Sequence, residues 1–409
     1  MEKTKFSTKQ IGIFSKVTCL FFVILTGFLA WQATQFEIDA SADTLLVDNN
    51  RHHIISQMSD QRYGAQEFIL IAFKPKSDEI FSFENLDKLS KLGDEISAID
   101  RVAQVRSIAN VPIFADAKNF SGDVNSLTWQ VQQYPAERLQ KTLKNHPLYE
   151  GLLVNKQQTA LALQVVFQED KTLVNLQAES LAIKQHLLDR ELTQSEKDQL
   201  VKLKTKQDDI TKSLDNTRIK EINLIRNIIE KYGEEKEFYL GGNNLLAYEL
   251  INIIESDLLL FGSIILIAVI VILSYLFRQF SWVFLPIFCC AVSVIITLGL
   301  LAVFALKVTV ISANVIALQI ILSLAMIIHL IIQYQEFVEA KRFNNQTALV
   351  LATLKSKFKP CLFAAITTTV GFATLIFSSV QPVISFGWMM VIAMSVSVIV
   401  SLVFFPALL

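Results

Sequence analysis

Charge is scarce in the C-terminal part of this 409-residue sequence. The chain carries 37 basic and 38 acidic side chains, but only nine of them follow Asp257. Residues 258–409 are therefore too poor in charge for a water-soluble domain, and they predict a membrane-embedded segment. The net charge of −1 and the lack of a basic tract give no reason to expect a nucleic-acid partner.

Cysteine is rare as well, and the polar part of the sequence has none. The four cysteines (Cys19, Cys289, Cys290 and Cys361) all lie in apolar runs. A disulfide framework or a cysteine metal site in residues 34–257 is thereby excluded. No Ser/His/Asp set or metal-ligand spacing is visible, and the pair His52-His53 is typical of a solvated surface. We predict no enzyme, no cofactor and no metal.

Uncharged runs long enough to cross a bilayer follow the polar segment. A spanning helix needs about 20 apolar residues. Such runs occupy residues 258–277, 282–306, 308–335 and 360–409. The last is too long for one helix, and the cluster at 378–382, which ends in Pro382, predicts a turn within it. Five spans are therefore expected after the polar segment.

The uncharged run at residues 17–33 has two interpretations. It follows several lysines, as the core of a cleaved signal peptide would, and residues 30–33 weakly resemble a cleavage site. It is also long enough for an uncleaved first span, with Lys16 reaching back to the headgroups. We favour the span, which gives six spans in a one-plus-five arrangement.

The basic residues predict one orientation in the membrane. The side predicted to be cytoplasmic has Lys3, Lys5, Lys9, Lys16, Arg278, Lys341, Arg342, Lys355, Lys357 and Lys359, against Lys307 alone on the other side. We therefore expect three parts: a cytoplasmic N-terminus with span one (1–33), an extracytoplasmic domain (34–257), and spans two to six (258–409). The expected location is the cell inner membrane.

The polar domain predicts a mixed α/β fold. Strands are expected at residues 67–73 and 159–167, an extended stretch at 102–114, and helices at 81–99 and 136–143. Residues 171–232 form a helical insertion, with Thr193 and Glu196 as a capping box. Seven-residue apolar spacing interrupted at Gln207 fits either a helical hairpin or one long amphipathic helix.

The order and spacing of several short motifs resemble the N-terminal half of an RND-superfamily transporter of the MMPL-like, sterol-sensing-domain-like branch. In the last two spans these motifs are Thr367-Thr368-Thr369-Val370-Gly371-Phe372, Leu375, Ser378, Pro382, Phe386-Gly387 and Pro406-Ala407-Leu408-Leu409. Elsewhere they are Asp43-Thr44-Leu45-Leu46, Tyr63-Gly64, Asn145-His146-Pro147-Leu148, Gly242-Asn243-Asn244-Leu245 and Phe277-Arg278 with Pro286.

The resemblance implies a twelve-span bundle built from two such halves and driven by the proton gradient. Substrate would be taken from the membrane or the outer space through α/β porter domains. The expected partners are membrane lipids, a hydrophobic or lipid substrate, and a second half. That second half would be a continuation of this chain beyond Leu409, a second copy, or a separate subunit.

The resemblance also locates a proton-relay position in the fourth span. The family usually has an acidic residue there, and the matching position here is Met326, whose thioether cannot carry a proton. Gln319 and Ser323 fall on one helical stripe with Met326, which should face the bundle interior. His329 lies about 60° off that stripe. Its role is either proton or substrate handling, or a structural hydrogen bond to span five or six.

The fifth span has small residues along one face, among them Thr367 and Gly371. Such a face indicates a packing seam, to which Gly387 of the sixth span is added. In a second interpretation, Thr367 and Thr368 hydrogen-bond to the polar stripe of span four.

Three functions fit these observations. The first is half of an exporter for a lipid or other hydrophobic molecule, with the proton relay in the second half. The second is a non-transporting sensor or scaffold that binds a lipid in a sterol-sensing-type bundle. The third, an accessory to protein secretion, lacks the signatures expected in the first outer segment.

Overall fold

The computed structural model describes residues 8–34, 36, 51–64, 66–76, 79–114, 123–233, 237–309, 311–343 and 345–409. It is mostly helical and divides into two compact units. One holds Asp48–Glu249, and the other holds the flanking segments Met1–Val47 and Leu250–Leu409. The motif at 43–46 lies outside the described residues.

A four-stranded sheet is the centre of the first unit. The strands are β1 (Phe68–Phe73), β2 (Val102–Ser107), β3 (Leu161–Phe167) and β4 (Phe238–Gly241). The helices are α2 (Arg51–Tyr63), α3 (Phe83–Ser97), α4 (Trp129–Gln132), α5 (Ala136–Leu143), α6 (Lys171–Gln185) and α7 (Gln194–Tyr232), with α1 in the second unit. The two predicted strands and the helix at 136–143 are confirmed.

The sheet has the strand order β2-β3-β1-β4, and every neighbouring pair is antiparallel. Because β3 lies between β1 and β2, those two strands are parallel to each other and α3 connects them. The order of elements and strands is that of a ferredoxin-like split β-α-β unit. All seven residues of β3 are buried, so both faces of this strand are covered.

The extended stretch predicted at 102–114 is a strand only as far as Ser107. The side chain of Asn110 turns the chain: its Oδ1 accepts from Ser107 N at 2.8 Å, and its Nδ2 donates to Val105 O at 2.7 Å. Asparagine side chains compete in this way with sheet hydrogen bonds. The prediction beyond Ser107 was therefore wrong, because it followed apolar spacing and ignored the asparagine.

The helical insertion combines the two arrangements expected from its sequence. The structure has one helix of 39 residues, α7, and the first half of α7 pairs with α6. Thr193 and Glu196 form the predicted capping box at the start of α7. Gln207, which interrupts the apolar spacing, donates from Nε2 to Leu176 O at 2.7 Å and to Ser180 Oγ at 2.9 Å. That bond joins the two helices.

The second half of α7 is held on the sheet by apolar contacts and by ion pairs. Ile222, Ile225 and Ile229 belong to the core cluster that contains the strands. Arg218 donates from Nε and Nη2 to both oxygens of Glu67, at 2.5 and 2.8 Å. Arg101, at the start of β2, donates from Nη1 to Glu221 at 3.1 Å. Burial is the main cause that raises the pKa of Glu221.

Six helices are long and apolar enough to cross a membrane, counted over the described residues. These candidate spans are Phe14–Ala33, Leu245–Phe277, Phe280–Val303, Ser312–Glu339, Gln346–Phe377 and Gln381–Leu408. The helices that form them are α1 (Thr8–Ala33), α8 (Asn243–Phe277), α9 (Phe280–Val303), α10 (Val315–Glu339), α11 (Gln346–Ala373), α12 (Gln381–Ile399) and α13 (Phe405–Leu408). The predicted number of long apolar helices, six, is therefore confirmed among the described residues.

Local backbone chemistry ends these helices where the sequence indicated. Arg278 has a φ of 50°, which breaks the helix between α8 and α9. After α11 a 3₁₀ turn (Thr374–Phe377) leads to Ser378, and Pro382 lies in the first turn of α12. Between α12 and α13 the helix widens to a π-helical turn, Val400–Phe404. Helix α12 contacts α9, α10 and α11 and is therefore central to the bundle.

Candidate functional site

A fully buried glutamine joins α9 and α10. The amide nitrogen of Gln319 donates to Thr297 Oγ1 at 2.7 Å, to Ser293 Oγ at 2.9 Å and to Ser293 O at 3.1 Å. Ser293 and Thr297 lie one turn apart on α9, so they face the same point of α10. An amide nitrogen has two hydrogens, and these are shared among the three acceptors.

The same polar cluster extends to α12 through two serines. Ser323, one turn after Gln319 on α10, donates from Oγ to Ser397 Oγ at 2.6 Å. Ser397 in turn donates to Ala393 O of its own helix at 2.8 Å. We refer to Ser293, Thr297, Gln319, Ser323 and Ser397 as the Gln319 cluster. It connects three helices without any charged group.

Two buried oxygens near this level of the bundle have no hydrogen-bond partner among the described residues. They are Gln319 Oε1 and Ser401 Oγ. An unsatisfied buried acceptor or donor costs about 1–3 kcal/mol. Ser401 belongs to the π-helical turn one turn beyond Ser397. Most but not all of the buried polar atoms at this level therefore have a hydrogen-bond partner.

Met326, at the position predicted to match the relay acid, lies in apolar surroundings. Its side chain is 6% exposed and forms a small cluster with Ala365 of α11 and Met394 of α12. Helix α10 carries no acidic residue before Glu336. The side chains of the Gln319 cluster carry only hydroxyl and amide groups. The interior face of α10, as far as it is described, therefore has no group that titrates near neutral pH.

The other predicted relay candidates lie away from the Gln319 cluster. His329 is exposed on α10, and no hydrogen bond joins it to α11 or α12 in the described part of the chain. Thr367 and Thr368 both donate to Ala364 O of their own helix, at 2.8 and 2.9 Å. Within the described residues, neither threonine forms the predicted hydrogen bond to α10.

The two predicted packing glycines differ. A Cβ at Gly387 would lie 3.0 Å from Phe372 O and 3.1 Å from Ile376 Cγ1, so α12 approaches the end of α11 closely there. A Cβ at Gly371 would meet no atom within 4 Å, so no other described helix approaches closely there. A third position, Gly299, was missed. A Cβ there would collide with Leu29 of α1.

A groove lies between α8 and the start of α10. Its volume is about 160 Å³. Ten of its twelve lining residues are apolar or glycine, and the two polar ones are Asp257 and Asn314. The α8 wall is formed by Leu250, Ile253, Ile254, Asp257, Leu258, Phe261 and Gly262, and the opposite wall by Ala313, Asn314, Ile316, Ala317 and Ile320.

The groove was not predicted from the sequence, although one wall has a signal there. Leu250, Ile254, Asp257 and Phe261 recur at helical spacing of three or four residues, which places them on one face. From the sequence alone, Asp257 is placed at the end of the polar domain. That boundary divides the face, although the same helix continues into the second span. The structure joins both parts in one helix, α8.

These structural features by themselves indicate the class of protein. Six long apolar helices, three of them joined by an uncharged polar cluster, indicate a multi-pass membrane protein. The model of the MMPL family matches residues 120–409. The chain therefore belongs to the MMPL family, which confirms the resemblance inferred from the motifs. Membership indicates an RND-type transporter or a sterol-sensing-domain-type protein, rather than an enzyme. A search of curated proteins gave no match.

Proposed function

We propose that this chain is one half of an RND-type exporter for a lipid or other hydrophobic molecule, and that the groove between α8 and α10 binds part of that molecule. The observation that carries the proposal is the apolar groove itself, in a family of transporters. An engineered cavity of about 150 Å³ is known to hold benzene, whereas pockets for whole ligands measure about 300–1,000 Å³. The groove is therefore sized for a segment of an amphiphile, and the rest of its chain would lie in the bilayer.

Coupling to a proton gradient requires a titratable group, and the interior of α10 has none near neutral pH among its described residues. In this proposal the proton relay lies in a second RND-type half. The exposed side of α10, which includes His329, is available for that contact. The polar unit lies outside the cytoplasm, as the distribution of basic residues predicts, and its split β-α-β sheet serves as the porter domain.

The groove is tested with a substitution that fills it. Gly262 lines the groove, and a Cβ added there meets no atom within 4 Å. Gly262→Leu should therefore occupy the groove without forcing the backbone to move. Gly27→Leu is the matched control, because Gly27 is an exposed glycine of α1 that also has open space around it.

The measurement is photocrosslinking with octadecanol that carries a diazirine, in membranes containing the full chain. We expect crosslinked peptides from residues 250–262 and 313–320 in the unsubstituted chain and in Gly27→Leu, and a loss of at least fivefold in Gly262→Leu. Equal crosslinking in all three proteins would show that the groove does not bind this class of molecule.

A second candidate function, a lipid-binding sensor without transport, is favoured by the apolar surroundings of Met326. It predicts the same crosslinks but no movement of lipid. Transfer of the probe to acceptor vesicles distinguishes the two. Transfer that the chain accelerates and Gly262→Leu abolishes indicates export. Groove crosslinking with transfer at the rate of membranes lacking the chain indicates the sensor.

A further inference from the structure

The groove contains one carboxylate, and that carboxylate has no partner in the described structure. Asp257 is half-buried and lines the groove. No described residue forms a hydrogen bond or an ion pair with it. A half-buried carboxylate surrounded mainly by apolar side chains lacks part of its hydration and gains from an added positive donor.

The sequence of α8 places Asp257 at a particular depth. The next 20 residues, 258–277, carry no charge and are long enough to cross the hydrocarbon core. Asp257 therefore directly precedes this uncharged stretch, and we place its carboxylate at the level of the lipid headgroups. Asn314, the other polar lining residue, directly precedes the first residue of α10. Asp257 thus lies at the start of the uncharged stretch of α8, and Asn314 lies just before α10.

Polar groups at the interface end and apolar walls beyond them match the shape of an amphiphile. Asp257 lies midway along the α8 wall, with Leu250, Ile253 and Ile254 before it. The lining residues 258, 261, 262, 317 and 320 continue along the helices on the other side of Asp257 and Asn314, toward the hydrocarbon core. A hydrocarbon chain can lie against these residues while its headgroup stays beside the carboxylate. The small volume of the groove limits it to the headgroup and the first few methylenes.

We propose that Asp257 recognises a cationic, ammonium-bearing headgroup, so that the groove selects positively charged amphiphiles. This inference rests on the proposed function, since it names the substrate class of the same groove. An ammonium donates up to three hydrogen bonds, and both Asp257 Oδ atoms and the amide oxygen of Asn314 can accept. A neutral hydroxyl offers one donor and no charge, and an anionic headgroup is repelled.

The expected preference is about tenfold for the ammonium over the hydroxyl, because charge-assisted hydrogen bonds are about twice as strong as neutral ones. The probes are octadecylamine, octadecanol and octadecanoic acid with a diazirine at the same carbon. Each is titrated against the full chain in uncharged maltoside micelles at pH 7. Crosslinking to peptides 250–262 and 313–320 gives an apparent Kd for each headgroup.

The key variant is Asp257→Asn, which keeps the shape of the side chain and removes its charge. It should weaken amine binding about tenfold, leave alcohol binding unchanged, and so abolish the preference. Asp257→Glu should retain the preference, which separates loss of charge from loss of fold. Glu339→Gln is the charge-matched control, because Glu339 is an exposed acid at the opposite end of α10 from the groove.

Each outcome bears on one of the two proposals. If the amine and the alcohol crosslink equally to the unsubstituted groove, and Gly262→Leu blocks both, the groove binds hydrophobic molecules and the headgroup inference is overturned. The same holds if Asp257→Asn keeps the preference, or if Glu339→Gln loses it to the same extent. If no probe crosslinks to the groove, the proposed function itself fails.

Discussion

Gln319 illustrates what a single residue decides in this bundle. Its amide nitrogen bonds to two side chains of α9, yet its Oε1 has no partner among the described residues. In lipid, hydrogen bonds between helices average about 0.6 kcal/mol. The unsatisfied oxygen therefore offsets much of what the donor side contributes. We infer that Gln319 fixes which helices are neighbours more than it stabilises them.

The stripe that contains Gln319 could be predicted from the sequence, but its partners could not. Helical spacing placed Gln319, Ser323 and Met326 on one face, and all three are buried. The same spacing put His329 off that face, and His329 is exposed. Which helix faces the stripe depends on packing between segments far apart in the chain. That is why α9 and α12, rather than α11, provide the hydroxyls.

Two glycines give a matched prediction at this scale. Gly387→Ala places a methyl group 3.0 Å from Phe372 O, so α12 must shift, and overpacking of this kind costs about 1–3 kcal/mol. Gly371→Ala adds a methyl group in open space and should be neutral, or stabilise α11 by up to about 1 kcal/mol.

Thermal unfolding of both variants in detergent micelles checks the expectation. Gly387→Ala should lower the Tm, and Gly371→Ala should leave it unchanged or raise it. The reverse order would contradict the assignment of Gly387 to the seam between α11 and α12.

Helix α7 has two different environments along its length. Its first half pairs with α6 through Gln207, and its second half packs on the sheet. The sequence predicted the helix and its capping box because both are local signals. It did not predict the position of the ion pairs, since Glu67 and Arg101 precede strands whose order depends on β3. Strand order is a long-range property that no local pattern specifies.

The ion pair between Arg218 and Glu67 should control how firmly the second half of α7 is held. Arg218→Gln removes two charge-assisted hydrogen bonds at 2.5 and 2.8 Å from a carboxylate that is 14% exposed. The loss should be about 2 kcal/mol of local stability. Amides of residues 218–229 should then exchange with deuterium about 30-fold faster.

Arg190→Gln is the control for that measurement. Arg190 also forms bidentate contacts with a glutamate, Glu196, but its side chain is 47% exposed at the turn before α7. Solvent screens such pairs, so exchange at 218–229 should not change. Equal effects of the two substitutions would show that the Glu67 contact has no special role.

At the scale of the whole molecule, composition was the most informative property. The unequal distribution of charge predicted which segments are long apolar helices, and the six candidate spans confirm it. The family match over residues 120–409 covers part of the polar segment and all the helices after it. The groove could not be predicted from the sequence, because it requires that α8 and α10 be neighbours. In addition, Asp257 was counted with the charged residues of the polar domain, although it also lies in the helix that continues into the second span.

The orientation of the chain in the membrane gives the last prediction. Basic residues in the segment between α10 and α11 should be cytoplasmic, and the polar unit between α1 and α8 should then lie on the opposite side. Lys156 is exposed in the polar unit and Arg342 is exposed in the segment after α10. In intact cells, a maleimide that cannot cross the membrane should label Lys156→Cys and not Arg342→Cys. After permeabilisation both should react, while the four native cysteines, which lie in membrane helices, give the background in the unsubstituted chain.

Labelling of Arg342→Cys alone in intact cells would invert the topology. The porter role of the β-sheet unit would then be untenable, and Asp257 would lie at the cytoplasmic rather than the outer headgroup level.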